Sequence, residues 1–246
     1  MIALFLVLFA GSALPLKAGW VEKSAVPSEY AAQAAAAEET SFYAVSNTHV
    51  ARYDRGTGKL MIAATTPGTK HLNSAFVRKG KVYCAHSNYP TLPEQSDIRV
   101  FDPKTEKLSV FHTFKKPPGS LVWNVHDGEH WWCCFAHYGQ YNAKTILTKM
   151  TDEFEELARW TFPKIVVDDW DEMSASGGVW DGETLLVSHH HFPVLYRLKL
   201  PKEGTVLEFV EARACPLPGQ GIAVDPKTKG LVGIDRSKKR VVFAER

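Results

Sequence analysis

The chain has no stretch long enough to cross a bilayer as a helix. Of its 246 residues, only residues 2–10 run uninterrupted in apolar side chains, about half of the ~20 that a spanning helix needs. It also lacks an excess of charge of either sign: 29 Lys and Arg against 27 Asp and Glu leave a formal +2. The longest basic run is Lys238-Lys239-Arg240, so the charge pattern calls for no nucleic-acid partner. Cysteine is scarce, four residues in all with no CxxC spacing, which gives no support to a zinc ribbon or a dithiol redox motif. Cys133 and Cys134 are neighbours and on a strand point to opposite faces, so at most one of them can meet Cys84 across a sheet. Export would permit disulfides, but the four read best as buried free thiols. An aromatic content of 11%, with seven Trp, argues against disorder.

What the chain does have begins with its first residues. The apolar run at 2–10 has the length of a secretory h-region, followed by small residues at Gly11 and Ala13 that suit cleavage after Ala13, with Ala18 as a second position. A basic n-region is missing. The expectation is a signal-like segment over 1–18, export to the periplasm or medium, and no stable membrane span once it is removed. Residues 19–246 are then one soluble, monomeric domain, a size at which a single all-β fold is common.

Short strand pairs joined by polar turns recur through the rest of the chain. "VARYDRGTGKLMIAAT" (50–65), "IRVFDPKTEKLSVFHTF" (98–114), "ILTKMTDEFEELARWTF" (146–162) and "VLYRLKLPKEGTVLEFVEA" (194–212) each place a turn rich in Asp, Pro, Gly, Thr and Lys between two β-branched or aromatic runs. The spacing of about 48 residues is that of a four-stranded propeller blade. An inner hairpin precedes each pair, as in "SAFVRKGKVYCAH" (74–86), and "QAAAAEETSFYAVS" (33–46) fits the same frame although its alanines mimic a helix. The pattern predicts an all-β, five-bladed β-propeller with blades over 33–66, 74–114, 120–162, 176–211 and 220–245. The last blade holds only three strands, and 19–26 is the segment expected to close it as the fourth. The competing fold is an open two-sheet sandwich.

Antiparallel blades bring the starts of inner strands and the ends of second strands to one face. Second strands end near Ser46, His86, His137, His189 and Asp235, and inner strands begin near Gln33, Ser74, Ser120, Ser176 and Gln220. These polar residues are predicted to surround one mouth of the central channel, joined by His71 and Asn88, with Tyr89, Trp123 and Tyr138 near enough to stack on a ligand. His86, His137 and His189 could hold one divalent metal ion, with Asp235 as a further ligand or general base. The plainer reading makes the histidines caps for loop backbone. His126 and His130 belong to the opposite face, and His49 and His112 to outer strands. The glycines of "SASGG" (174–178) are expected to let an inner strand lie close to the axis. "DDWDE" (168–172) reads as a solvated loop whose Trp170 could cover the mouth as a lid.

"HLNSAFVRKGKVYCAHSNYP", "GSLVW", "HDGEHWWCCFAHYG", "ELARWTFPKIV" and "SASGGVW" resemble a group of uncharacterised exported bacterial five-bladed propeller proteins, from about Gln33 to the C-terminus. The resemblance implies the fold and little of the activity. Plant-type glutaminyl cyclotransferases are a distant fold analogy, and their acidic motifs are missing here. Two function classes follow: a propeller that binds a small polar ligand, such as a sugar or organic acid, without turnover, and a metal-dependent hydrolase or lyase built on the same histidines.

Overall fold

A computed structural model describes residues 12–246; the apolar run at 2–10 lies outside the described residues. Five antiparallel four-stranded sheets form the blades of a β-propeller. From the axis outward, blade 1 is Ala34–Ala37, Ser41–Val45, Val50–Asp54 and Leu60–Ala64. Blade 2 is His71–Arg78, Lys81–Ser87, Ser96–Asp102 and Lys107–Phe114. Blade 3 is Ser120–His126, Trp131–Ala136, Ile146–Met150 and Glu156–Thr161. Blade 4 is Gly177–Asp181, Thr184–Ser188, Val194–Lys199 and Glu208–Ala214. Blade 5 takes Ala223–Val224, Leu231–Asp235 and Arg240–Glu245 from the C-terminus and Val21–Pro27 from the N-terminal region.

That last strand pairs antiparallel with Arg240–Glu245, from Val21 opposite Glu245 to Pro27 opposite Arg240, so the ring closes on the segment expected to close it. Arg240 also grips Glu22 across the seam at 2.8 Å. One strand was not foreseen. Leu16–Lys17 runs parallel to Ala212 and Arg213 on the outer edge of blade 4. Just before it, Ser12 and the backbone N–H of Ala13 donate to the buried carboxylate of Asp169. Residues 12–18, placed by sequence in a signal-like segment, thus make specific contacts with the propeller.

The blades pack face to face, and each interface is a core of its own. Trp123, Trp132 and Tyr196 fill the space between blades 3 and 4, while Tyr83, Trp131 and Phe135 fill that between blades 2 and 3. The four consecutive alanines of the first inner strand are all buried. All four cysteines are buried and free, and burial raises the Cys215 thiol to about 12.

Glycine permits close approach of the inner strands near the axis. Any Cβ on Gly221 of blade 5 would lie 2.7 Å from Ala34 Cβ in blade 1 and 2.9 Å from Ser74 Cα in blade 2. One on Gly177 of blade 4 would lie 2.7 Å from the Ile222 nitrogen. Inner strands of blades 4, 5, 1 and 2 therefore approach one another closely at this level. Gly221→Ala is expected to destabilise the fold by about 2 kcal/mol, because the neighbours are backbone and short side chains that cannot yield; chemical denaturation measures this.

Three expectations are corrected. Of the expected solvated loop 168–172, residues 168 and 169 end a short α-helix, Lys164–Asp169, with Asp169 buried, while Asp171 and Glu172 lie exposed in the turn that follows. Trp170 is no lid: it is fully buried against Phe162, inside the core between blades 3 and 4. Trp123 is equally buried and lies where a Cβ on Gly178 would meet its ring at 2.6 Å, so it cannot stack on a ligand at the mouth.

Candidate functional site

Second strands end on one face at Val45, Ser87, Ala136, Ser188 and Asp235, within one residue of the expected Ser46, His86, His137, His189 and Asp235, because every blade repeats the same antiparallel order. The face is shared, but most of these side chains spend their polar atoms on the protein. His86 accepts the Lys70 N–H on Nε2 at 2.9 Å and turns Nδ1 to Asp97 at 3.0 Å. His137 donates Nε2–H to the Pro118 carbonyl at 2.7 Å. His189 accepts the N–H groups of His191 and Phe192 on Nδ1 and donates Nε2–H to the Asp169 carbonyl. Among the described residues no group of three His, Cys, Asp or Glu side chains stands close enough to share an ion.

The other predicted residues divide in the same way. Asp235 accepts Ser237 Oγ and the Lys238 N–H on one oxygen and faces Arg240 with the other, an arrangement that turns the chain into the fifth blade's third strand. Burial would raise its pKa, but the Ser237 and Lys238 hydrogen bonds outweigh this and hold it below the usual carboxylate range. Asn88 uses its amide on Pro93 and Gln95 to brace the loop 88–95. Ser46 caps Thr48 and His49, Ser74 accepts the Asn124 N–H, and Ser120 donates to Ser87. Ser176 is buried at the start of its strand.

What remains open to the mouth is His71, Gln220, Tyr89 and Tyr138 from the expected set, joined by His190, His191 and Arg236. His71 begins the inner strand of blade 2 and lies beside Tyr89, with ring centroids 5.8 Å apart, and Tyr89 in turn contacts Tyr138 at 4.8 Å. Across from them are His190, His191 and Arg236. Gln220 links the last two loops, donating to the His190 carbonyl and accepting from Arg236. Arg236 also donates to the Ala32 carbonyl, and among the described residues no carboxylate comes within ion-pair distance of it. Its position directly after the strand-ending Asp235 was the only sequence signal for it. Glu94 was missed too. One of its oxygens is buried without a partner, and burial holds its carboxyl above the usual range, partly opposed by nearby His137.

Four histidines of this mouth, His71, His189, His190 and His191, are held below the ordinary imidazole range. Burial lowers His71, assisted by the Arg236 charge, and pushes His190 down to about 3, assisted by His191 and Arg236. His189 and His191 are lowered as well, first by burial. A group whose pKa is depressed on folding takes up its proton more readily in the unfolded chain, so its contribution to stability is lost as pH falls below the ordinary value of about 6.5. The melting temperature is expected to drop between pH 6.5 and 4, with net proton uptake on unfolding. Unchanged stability across that window would contradict these lowered values.

No protein-family model matches the chain, and no curated protein matches it. Among solved structures it is similar to glutaminyl cyclase of Myxococcus xanthus, with a TM-score of 0.63 and 8% identity over 92% of this chain and 95% of that one. Hydrazine synthase of Kuenenia stuttgartiensis (TM-score 0.46, 11% identity, 83% of this chain and 68% of that one) and the mitotic checkpoint complex (TM-score 0.46, 10% identity, 85% and 62%) give weaker overlaps. At such identities the likeness concerns the fold alone: the chain is a five-bladed β-propeller of the architecture seen in that bacterial glutaminyl cyclase.

Proposed function

We propose that this propeller is an exported protein that binds a small organic acid at the mouth formed by His71, His190, His191 and Arg236. The observation that carries the reading is Arg236: a guanidinium among neutral imidazoles, with its Nη1 unbonded and no carboxylate in reach among the described residues. A carboxylate ligand would supply the missing partner through charge-assisted hydrogen bonds, and the Tyr89–Tyr138 pair offers a surface for its carbon skeleton. Calorimetric titration with acetate, succinate and citrate, beside glucose and galactose, tests it. Arg236→Gln is expected to weaken acid binding by about 10- to 100-fold and leave any sugar binding intact. Acids that fail to bind, or that bind the variant as they bind the wild type, refute the reading.

Turnover has one observation in its favour, and it does not involve the three predicted metal ligands. Glu94, with its raised pKa and a partnerless oxygen beside His137 and Tyr138, has the character of a general acid. A metal-dependent hydrolase on His86, His137 and His189 would need those rings released from their present hydrogen bonds. Export rests on the apolar run at 2–10, and N-terminal sequencing of the secreted protein would establish it and locate the cleavage.

A further inference from the structure

Asp169 is a buried carboxylate with no cation beside it. It is 7% exposed at the end of the helix Lys164–Asp169, and among the described residues no Lys, Arg or His side chain lies within ion-pair distance of it. Its partners are neutral donors. The Tyr196 hydroxyl donates to Oδ2 at 2.7 Å, and the Ala13 backbone nitrogen donates to Oδ1 at 2.7 Å. Ser12 Oγ lies 3.1 Å from Oδ1 and 2.9 Å from Oδ2. A buried carboxylate is costly unless a positive charge is paired with it. The group this site lacks is therefore a cation, and the atom seated on it at 2.7 Å is a backbone nitrogen that peptide hydrolysis would turn into one. Ala13 is itself exposed, so a chain end at this residue has open space around it.

The sequence before Ala13 fits such an end. Ala10, Gly11 and Ser12 follow directly on the apolar run, and small residues three and one positions before the cut are what a secretory leader presents for cleavage. Ala10 and Ser12 occupy those positions for a cut between Ser12 and Ala13. The alternative cuts sacrifice contacts. Cleavage after Ala13 would leave Asp169 with Tyr196 alone, and cleavage after Ala18 would also lose the Leu16–Lys17 strand and the Lys17–Glu211 ion pair at 3.0 Å.

We infer that the Ser12–Ala13 peptide bond is a processing site and that the new α-ammonium of Ala13 docks on the Asp169 carboxylate. The inference rests on the reading that the chain is exported. Water adds across the amide: Ser12 leaves with the leader as a carboxylate, and the Ala13 nitrogen takes up the proton. An α-amine is protonated at neutral pH, so the step supplies the missing charge. The anchored end also bears on the histidine mouth, because the Asp169 carbonyl accepts His189 Nε2–H and His189 in turn holds the loop of His190 and His191.

The test begins with the full chain expressed in an exporting bacterium and the mass of the exported product. A product beginning at Ala13 is expected. Ser12→Leu, which leaves the mature chain unaltered, should abolish that product, because the residue before the cut is no longer small. Chains made to begin at Ala13 and at Gly11 then separate docking from processing; every strand of the propeller lies within both. Asp169→Asn is expected to lower the melting temperature by about 4–10 °C in the chain beginning at Ala13, and by less than half as much in the one beginning at Gly11, where no ion pair is lost. Export with a start at Leu14 or Gly19 overturns the inference and leaves the export reading standing. A chain retained whole in the cell overturns both. An Ala13 start from Ser12→Leu, or an equal cost of Asp169→Asn in the two chains, overturns the inference alone.

Discussion

A chain lacking residues 14–30 is expected to aggregate instead of melting as a folded monomer. The deletion removes Val21–Pro27, the whole partner of Arg240–Glu245, and leaves a flat strand whose backbone N–H and C=O groups have no mate. The exposed edge would carry the sequence "RVVFAE", whose central four residues are buried in the intact ring, a combination that invites pairing with other chains. The same cut removes Trp20, buried between blades 4 and 5, and Ser28, whose hydroxyl bonds Tyr53 at 2.6 Å. Soluble yield, size-exclusion behaviour and thermal melting measure the outcome. A monomeric product with an unchanged melting temperature would show that the N-terminal strand does not close the ring. A milder cut, after Ala18, spares Val21–Pro27 but loses the Leu16–Lys17 strand and the Lys17–Glu211 ion pair, and should cost far less.

His189→Ala is expected to lower stability by about 2–4 kcal/mol, a fall of about 5–12 °C in melting temperature for a domain of this size. The imidazole is 1% exposed, and its removal strands three backbone groups at once: the N–H of His191, the N–H of Phe192 and the carbonyl of Asp169. His86→Ala should behave alike, since it frees the Lys70 N–H and leaves Asp97 with Arg99 alone. If instead these rings served a ligand or an ion and nothing else, the variants would keep their melting temperature and lose binding. Melting curves, with metal content measured after growth in added zinc, manganese and calcium, tell the two apart. His137→Ala should cost least of the three, because its ring bonds a single carbonyl and is less buried than the other two.

The architecture was legible in the chain because it is local. Alternating β-branched and aromatic runs, turns of Asp, Gly, Pro and Lys, and a repeat of about 48 residues specify each blade from its own residues, and the missing fourth strand of the last blade follows from counting. The glycines of "SASGG" were legible for the same reason: only glycine permits the close approach found at Gly177. The alanine run 34–37 forms a strand despite its helical propensity, because the blade repeat around it supplies strand partners.

The site was legible only as a face. Antiparallel strand order dictates that Ser46, His86, His137, His189 and Asp235 share one end of the molecule, and the sequence determined that much by itself. Which of them turn a free nitrogen or oxygen into the mouth depends on loop backbone arriving from distant segments, such as Asp169 meeting His189 or Lys70 meeting His86. Polar side chains at buried positions are taken by the nearest unpaired backbone group, because leaving that group unpaired costs more than a ligand bond would return. Asp235 is consumed in the same way, while Arg236, one residue beyond the strand end, donates to Ala32 and Gln220 and is left without a carboxylate partner among the described residues. Where inner strands approach closely, as at Gly177 and Gly221, and where an empty volume remains were likewise decided by the packing of one blade against the next, a distance that no single repeat contains.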